Sequence, residues 1–352
     1  MVLASCTDGG GRERGLTGMA GAGCLPGAPT ASHATGHAAP GVRFVDVTGP
    51  VGLAHQQWEG AAYTRDERAS REAENRRRRE EGAIMTAGAS VVDVDRDGWE
   101  DLFVTRVGFP NMLHHNRCGA GFSDVAAQVG LAENDASAGS LWGDVDRDGD
   151  LDLFVTSVLR NPNRLYLNRG DTTFEEHGHD AGVASRKDFS PLTNSSYGAA
   201  LGDVDADGDL DIVVNQWQHT AELLKRGRTT IFRNDGTGRF EAANTPLGLD
   251  LTGVAGFTTT ITDIDGDGRQ DLLMAGDWGS SRLFLGAPDG RFRDVTRTAG
   301  VGTDENGMGS AVEDIDGDGD LDWFVTSIAG PEEACRGVEF GCSGNRLFRN
   351  EG

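Results

Sequence analysis

Five stretches of this chain, residues 93–101, 144–152, 203–211, 263–271 and 314–322, each read Asp-x-Asp-x-Asp-Gly-x-x-Asp. Carboxylates at positions 1, 3 and 5 of such a stretch can converge on one cation. The glycine at position 6 (Gly98, Gly149, Gly208, Gly268 and Gly319) permits the sharp turn that aims them inward. Hard oxygen donors in a flexible loop select Ca²⁺ over transition metals, and over Mg²⁺, which tolerates distortion poorly. The first loop offers Asp93, Asp95, Asp97 and Asp101, with the carbonyl of Trp99. The second offers Asp144, Asp146, Asp148 and Asp152, with Asp150 at position 7; the third offers Asp203, Asp205, Asp207 and Asp211, with Asp209. The fourth offers Asp263, Asp265, Asp267 and Asp271, with Arg269, and the fifth Asp314, Asp316, Asp318 and Asp322, with Asp320. The expected cofactor is therefore Ca²⁺, about five ions.

An EF-hand loop starts the same way, but it needs Glu at position 12 and flanking helices. Here the fourth carboxylate comes at position 9, and the residues after it are β-rich. Leu-Phe-Val-Thr stands at 102–105 and 153–156, Ile-Val-Val at 212–214 and Trp-Phe-Val-Thr at 323–326. The loops are expected as turns between two strands.

The intervals between first Asp residues are 51, 59, 60 and 51. That period suits a four-stranded propeller blade. The strand before each Asp loop carries a small residue, Ala89, Ser140, Ala199, Thr259 or Ser310, as an innermost strand near an axis requires. The second strand follows the loop. A third reads like residues 163–168, Asn-Arg-Leu-Tyr-Leu-Asn, and a fourth like residues 292–296, Phe-Arg-Asp-Val-Thr. The predicted fold is all-β, a β-propeller of four-stranded blades with five repeat units. The sequence from residue 41 opens on a lone fourth-strand pattern, Phe-Val-Asp-Val-Thr at 44–48, and closes on a lone third-strand pattern. Either the first completes the last blade in a closed five-bladed ring, or the units are a fragment of a seven-bladed one.

These units resemble FG-GAP/VCBS repeats, the blades of integrin α-subunit propellers. The pattern Gly-Asp-Val-Asp-x-Asp-Gly-Asp-Leu-Asp, then Asn-x-Leu-Tyr-x-Asn, then Phe-x-Asp-Val-Thr, is similar to the cartilage acidic protein family. The resemblance covers about residues 43–350. It implies a Ca²⁺-binding propeller serving adhesion, recognition or scaffolding, typically with seven blades and often a small C-terminal domain, which is not evident here.

The chain has 352 residues and a net charge of -24. Such acidity disfavours nucleic acid and anionic membrane surfaces. No apolar run approaches the ~20 residues of a membrane helix. Residues 1–40 are rich in Gly, Ala, Ser and Thr and read as a disordered leader or linker ahead of a domain at 41–352. Within it, Leu3-Ala4-Ser5-Cys6 matches a lipoprotein processing site, although the apolar segment that should precede it is missing. A membrane contact would come only through that anchor. Cys335 and Cys342 bracket a short loop and would pair in an oxidising compartment; otherwise all five cysteines are ordinary thiols.

If each Asp loop joins the first strand to the second at one face, the loops at the other face are 54–88, 184–197, 215–229 and 327–344. These vary in length, whereas the turns at 116–122, 168–174, 234–240 and 286–292 are uniform. Uniform turns indicate architecture, and long loops on a rigid scaffold are where binding sits. The candidate ligand residues there are Trp217, His219, Asp277 and Trp278, with His55 and Trp58 opening the first long loop. The alternative for each Trp is packing against a neighbouring blade. His114, His115, His177 and His179 fall in third or fourth strands and read as packing or surface residues. Residues 65–81 are nearly all charged and read as a solvated helix in an insertion at about 54–88.

No Walker loop, His-Glu-x-x-His or complete Gly-x-Ser-x-Gly occurs, so no catalytic residue is assigned. The expected function is an extracytoplasmic, secreted or cell-surface, calcium-binding recognition or adhesion module for a protein or glycan. The alternative is a glycosidase or polysaccharide lyase, with Asp277, Glu59 and Glu222 as the carboxylates to test.

Overall fold

The computed structural model describes residues 45–55, 88–134, 136–158, 161–184, 195–217, 229–328 and 343–352. These form five antiparallel sheets, each a meander in chain order. The first holds β1 (Ala89–Val92), β2 (Asp101–Val104), β3 (Met112–Asn116) and β4 (Phe122–Asp124). The second holds β5 (Ser137–Gly143), β6 (Asp152–Ser157), β7 (Arg164–Asn168) and β8 (Phe174–Glu176). The third holds β9 (Ser196–Gly202), β10 (Asp211–Gln216), β11 (Thr230–Asn234) and β12 (Phe240–Ala242). The fourth holds β13 (Ala255–Thr262), β14 (Asp271–Asp277), β15 (Arg282–Gly286) and β16 (Phe292–Asp294). The fifth has three strands, β17 (Gly307–Glu313), β18 (Asp322–Ser327) and β19 (Arg346–Phe348). The fold is all-β, with blades of a β-propeller, as the repeat predicted.

The second strands carry an apolar run after their opening Asp because both of their faces are covered, most fully in β6, β10 and β14, which are buried throughout. The core is therefore a series of seams between blades. In the seam of the first two blades, Phe103 and Leu113 meet Leu153, Tyr166 and Phe174. Phe240 and Phe292 occupy the same place in the next two seams. Inner strands approach so closely that a Cβ at Gly88 would lie 2.2 Å from the Ala138 carbonyl oxygen. This is the physical reason for small residues there. Ser90 and Ser140 hydroxyls, one blade apart, stand 2.8 Å from each other.

The inner strands pack in the order β1, β5, β9, β13, β17, and β17 has no packing of that kind with β1. Val91 on β1 is 63% exposed, whereas its counterparts Trp142, Leu201, Ile261 and Val312 are half-buried in seams. Among the described residues, the fifth blade therefore does not pack on the first. The strand expected at 44–48 does not form over the described residues 45–48, which are irregular, with Val45 64% and Val47 48% exposed. Among the described residues, no third strand lies beside it to accept its backbone hydrogen bonds. Most of each variable loop, including residues 65–81, and Cys6 of the leader fall outside the described residues.

Candidate functional site

Each Asp loop is held by its own backbone. The position 1 carboxylate accepts the Gly amide of position 6 in all five loops, from Gly98 to Asp93 at 2.9 Å through Gly319 to Asp314 at 3.1 Å. That glycine has φ between 86° and 101° throughout. Position 4 is left-handed as well, in Arg96, Arg147, Ala206, Gly266 and Gly317 (φ 58° to 77°). Only two of the five are glycine, so the sequence did not reveal this second turn position.

The Asp at position 9 is the anchor. Asp101, Asp152, Asp211, Asp271 and Asp322 are at most 2% exposed. One oxygen accepts the amide of position 2, as Val204 to Asp211 at 2.9 Å. The other accepts the amide ending the third strand, as Asn234 to Asp211 at 2.8 Å. Each carboxylate thus ties three segments of its blade together. Burial pushes Asp152 and Asp211 up to about 7, against these backbone hydrogen bonds, which lower them.

In four blades the carboxylates of positions 1, 3 and 9 offer oxygens within 4.8 Å of one another: Asp144, Asp146, Asp152 and their counterparts. In the first blade the corresponding cluster is Asp95, Asp97 and His115. Position 5 carboxylates outside the first blade do not join these groups. In all five loops the position 5 carboxylate accepts the amide two residues on, as Asp209 to Asp207 at 3.0 Å. Position 7 residues Trp99, Asp150, Asp209, Arg269 and Asp320 lie against a glycine of the neighbouring turn or chain end, so the uniform turns share this face. Two buried oxygens, Asp144 Oδ1 and Asp205 Oδ1, have no hydrogen-bond donor. A charged oxygen so placed fits a cation between positions 1, 3 and 9.

His115, read from sequence as a packing or surface residue, belongs to this face. Its Nδ1 is 3.2 Å from Asp101 and 3.9 Å from Asp95, and the bond to Asp101 pushes the imidazole up. The counterparts of His115 show a pattern. Arg233 lies 3.6 Å from Asp205, and Arg349 lies 3.5 Å from Asp316, while Leu167 and Leu285 occupy the second and fourth blades. Blades three and five therefore set a guanidinium beside the position 3 carboxylate, and blade one sets an imidazole there. Further arginines link neighbouring loops: Arg96 to Asp150 at 3.4 Å and Arg147 to Asp209 at 2.5 Å.

The opposite face carries an aromatic cluster. Trp217 and Trp278, from adjacent blades, have ring centroids 5.8 Å apart at 31°. Trp217 also meets Tyr197 edge-on at 5.8 Å and Phe257 at 5.9 Å. Trp217 Nε1 donates to Asp277 Oδ2 at 2.8 Å, and the Trp278 amide donates to Oδ1 at 3.0 Å. With both oxygens engaged, Asp277 positions indoles; burial raises its carboxyl pKa. Trp278 holds φ 54°, a strained value for a bulky residue, and the residue is 38% exposed. Sequence named Trp217, Asp277 and Trp278, and the structure brings them together; it could not show Tyr197 and Phe257 joining them. His219, Trp58, Glu59 and Glu222 lie outside the described residues. His55 instead stacks near the buried His114, 5.6 Å between centroids. Cys118, in the turn after β3, is disulfide-bonded to a partner outside the described residues.

Antiparallel meander blades packed through their inner strands, each with an acidic loop between its first two strands, define a β-propeller with acidic loops on one face. The FG-GAP-like repeat pattern matches residues 93–155, 144–214 and 263–325, more than half of the chain. The chain belongs to that repeat family. Cartilage acidic protein 1 of Mus musculus is 30% identical over 192 residues, 53% of this chain and 28% of the relative. The Homo sapiens protein gives the same figures, and that of Xenopus tropicalis is 27% identical over 62% of this chain and 33% of the relative. The chain thus spans about a third or less of these relatives. Among solved structures, an Agrocybe aegerita lectin recognising non-reducing terminal N-acetylglucosamine has a TM-score of 0.39 and 18% identity over 69% of this chain and 61% of that one. The V. cholerae biofilm matrix protein Bap1 has a TM-score of 0.39 and 14% identity over 71% and 36%.

Proposed function

We propose that this chain is a calcium-stabilised recognition module that works outside the cytoplasm and binds a protein or glycan without catalysing a reaction. One observation carries the reading. The Trp217–Trp278 pair is held by Asp277 on the face away from the acidic loops, and Trp278 is presented outward in a strained conformation. Strain of that kind persists only where the surrounding structure over-determines it, and it clusters at binding sites. Indole faces suit both sugar rings and peptide side chains. Ca²⁺ at the carboxylates of positions 1, 3 and 9 would neutralise the charge that the five loops concentrate on the other face.

The disulfide at Cys118 and relatives named for cartilage, an extracellular tissue, support a place outside the cytoplasm. Asp277 is committed to two donors and has no free oxygen for acid or base work, which weighs against the hydrolase reading at this residue. The test is an array of glycans and extracellular proteins, probed in millimolar Ca²⁺ and in chelator with the wild type and Trp278→Ala. Binding should fall in the variant at an unchanged melting temperature. Full binding by Trp278→Ala would remove the aromatic face from the account.

A further inference from the structure

Asp-Arg-Asp stands at the centre of the first two acidic loops only, at 95–97 and 146–148. Both arginines, at position 4, are left-handed, with φ 58° and 61°, where Ala206, Gly266 and Gly317 of the other loops make the same turn without a long side chain. Both reach the next loop rather than the aspartates on either side. We propose, on the reading of the loops as calcium sites, that Arg96 and Arg147 are positioning residues that couple Ca²⁺ binding along the first three loops, while the fourth and fifth loops bind independently.

The two arginines grasp the same places. The Arg96 guanidinium donates to the Gly149 carbonyl and stands 3.4 Å from the Asp150 carboxylate, positions 6 and 7 of the second loop. Arg147 Nη2 stands 2.5 Å from Asp209 Oδ1, at position 7 of the third loop, and 3.0 Å from where a Cβ would stand on Gly208, at position 6. Position 6 bears directly on the candidate site. The Gly149 amide donates to Asp144 at 3.0 Å, and the Gly208 amide to Asp203 at 2.9 Å. Each glycine thus lies between a position 1 carboxylate of its own loop and a guanidinium of the preceding one. Asp209, whose side chain is only 10% exposed, is also pressed against the neighbouring turn, 2.8 Å from where a Cβ would stand on Gly236.

The coupling has a sign. In an empty first loop, Asp95 and Asp97 flank Arg96 and compete with Asp150 for its guanidinium. A dication held by those aspartates offsets their charge and repels the guanidinium, which favours its bond to the second loop. That bond fixes the turn at Gly149, so the second site is preorganised before its own ion arrives. By linkage the second ion strengthens the first by the same factor. Arg147 repeats this between the second and third loops. The series stops there. Position 4 of the third loop is Ala206, and position 7 of the fourth is Arg269, which pairs with its own Asp267. At Gly266, position 4 of the fourth loop, a Cβ would meet nothing within 4 Å. Direct repulsion between dications in adjacent loops has the opposite sign and acts at every junction.

Each loop has its own reporter, the position 6 glycine amide, which is bonded to the position 1 carboxylate in all five. Amide NMR of the full chain, titrated with Ca²⁺, reads a midpoint for each. Asp146→Ala disables the second loop, and the isosteric Asp146→Asn replaces it if the alanine variant loses its dispersed spectrum. Either should raise the midpoints at Gly98 and Gly208 by roughly two- to five-fold, the worth of one exposed ion pair, and leave Gly268 and Gly319 in place. In a background of Arg96→Gln with Arg147→Gln, the same change should move neither Gly98 nor Gly208. Asp265→Ala, which disables the fourth loop, should not raise the midpoint at Gly208 or Gly319. Midpoints at Gly98 and Gly208 that stay or fall when the second loop is disabled overturn the coupling and leave the loops as calcium sites. So does a rise that survives the loss of both arginines, or an equal rise on Asp265→Ala. A wild type whose glycine amides ignore millimolar Ca²⁺ removes the calcium reading, and the coupling with it.

Discussion

Backbone conformation at one loop position can be tested without disturbing any packing. Ala206 at φ 62° carries the cost of a left-handed L-residue, about 1–2 kcal/mol, while Gly266 at the same loop position carries none. Ala206→Gly should stabilise by up to about 1 kcal/mol in urea melts, the rest being offset by added freedom in the unfolded chain. Gly266→Ala should destabilise by a similar ~1 kcal/mol, because a Cβ there meets nothing within 4 Å and only the backbone objects. The buried Asp152 and Asp211 set a pH dependence. Their folded values of about 7 exceed the ordinary 3.8, so between those limits the folded state binds more protons than the unfolded chain. Stability of the metal-free protein should therefore fall as pH rises through that window. Saturating Ca²⁺ favours the ionised form and should flatten the profile. Equal pH slopes with and without Ca²⁺ in calorimetric melts would argue against an ion beside these two carboxylates.

At the scale of the loop and its blade, the residue facing position 3 sorts the five sites into two kinds. Arg233 and Arg349 place a cation near Asp205 and Asp316, and His115 does so near Asp95 when protonated, whereas Leu167 and Leu285 leave the second and fourth loops without one. A fixed positive charge competes with a bound dication. Titration calorimetry should thus resolve a tighter class of two sites. Arg233→Leu should raise affinity at the third loop by roughly two- to five-fold, the worth of a partly exposed ion pair of about 0.4–1 kcal/mol. Asp205→Ala should lose about one ion of stoichiometry, because it removes a central ligand from one loop. The fourth strands are short but carry much of each seam. Phe292 is 6% exposed between the third and fourth blades, and Phe292→Ala should cost about 3–5 kcal/mol in chemical denaturation.

Across the whole molecule, charge is the governing quantity. The net charge of -24 is concentrated in loops that share one face, and five dications would bring it to -14. Extracellular modules hold Ca²⁺ with Kd of roughly 10⁻⁴–10⁻³ M. At about 1 mM free ion, mass action then contributes ~0.4–1.4 kcal/mol per site. The loops are linked across blades by Arg96 and Arg147, so the contributions reach one cooperative series of seams. Chelation should lower the melting temperature clearly, and Mg²⁺ should restore it poorly. Identical melts in chelator and in millimolar Ca²⁺, with no heat of Ca²⁺ uptake, would refute the reading of these loops as calcium sites.

The sequence determined what is local. An Asp loop, its glycine, the apolar second strand and the turn after the third strand lie within one repeat, so their spacing alone gave five blades, the all-β class and the acidic face. It also named Trp217, Asp277 and Trp278, because exposed-loop aromatics are visible in sequence. The tertiary structure decided what depends on one repeat meeting another. Trp217 and Asp277 are 60 residues apart and bond only because two blades set them side by side. Tyr197 and Phe257 joined them for the same reason. His115 read as a packing or surface residue because sequence does not say which third-strand side chain turns toward the carboxylates. Position 9 was legible as a carboxylate, but not as the buried tie between three segments. Among the described residues the fifth blade does not pack on the first, and whether two blades meet depends on how far each seam rotates one blade against the next. No repeat encodes that angle by itself.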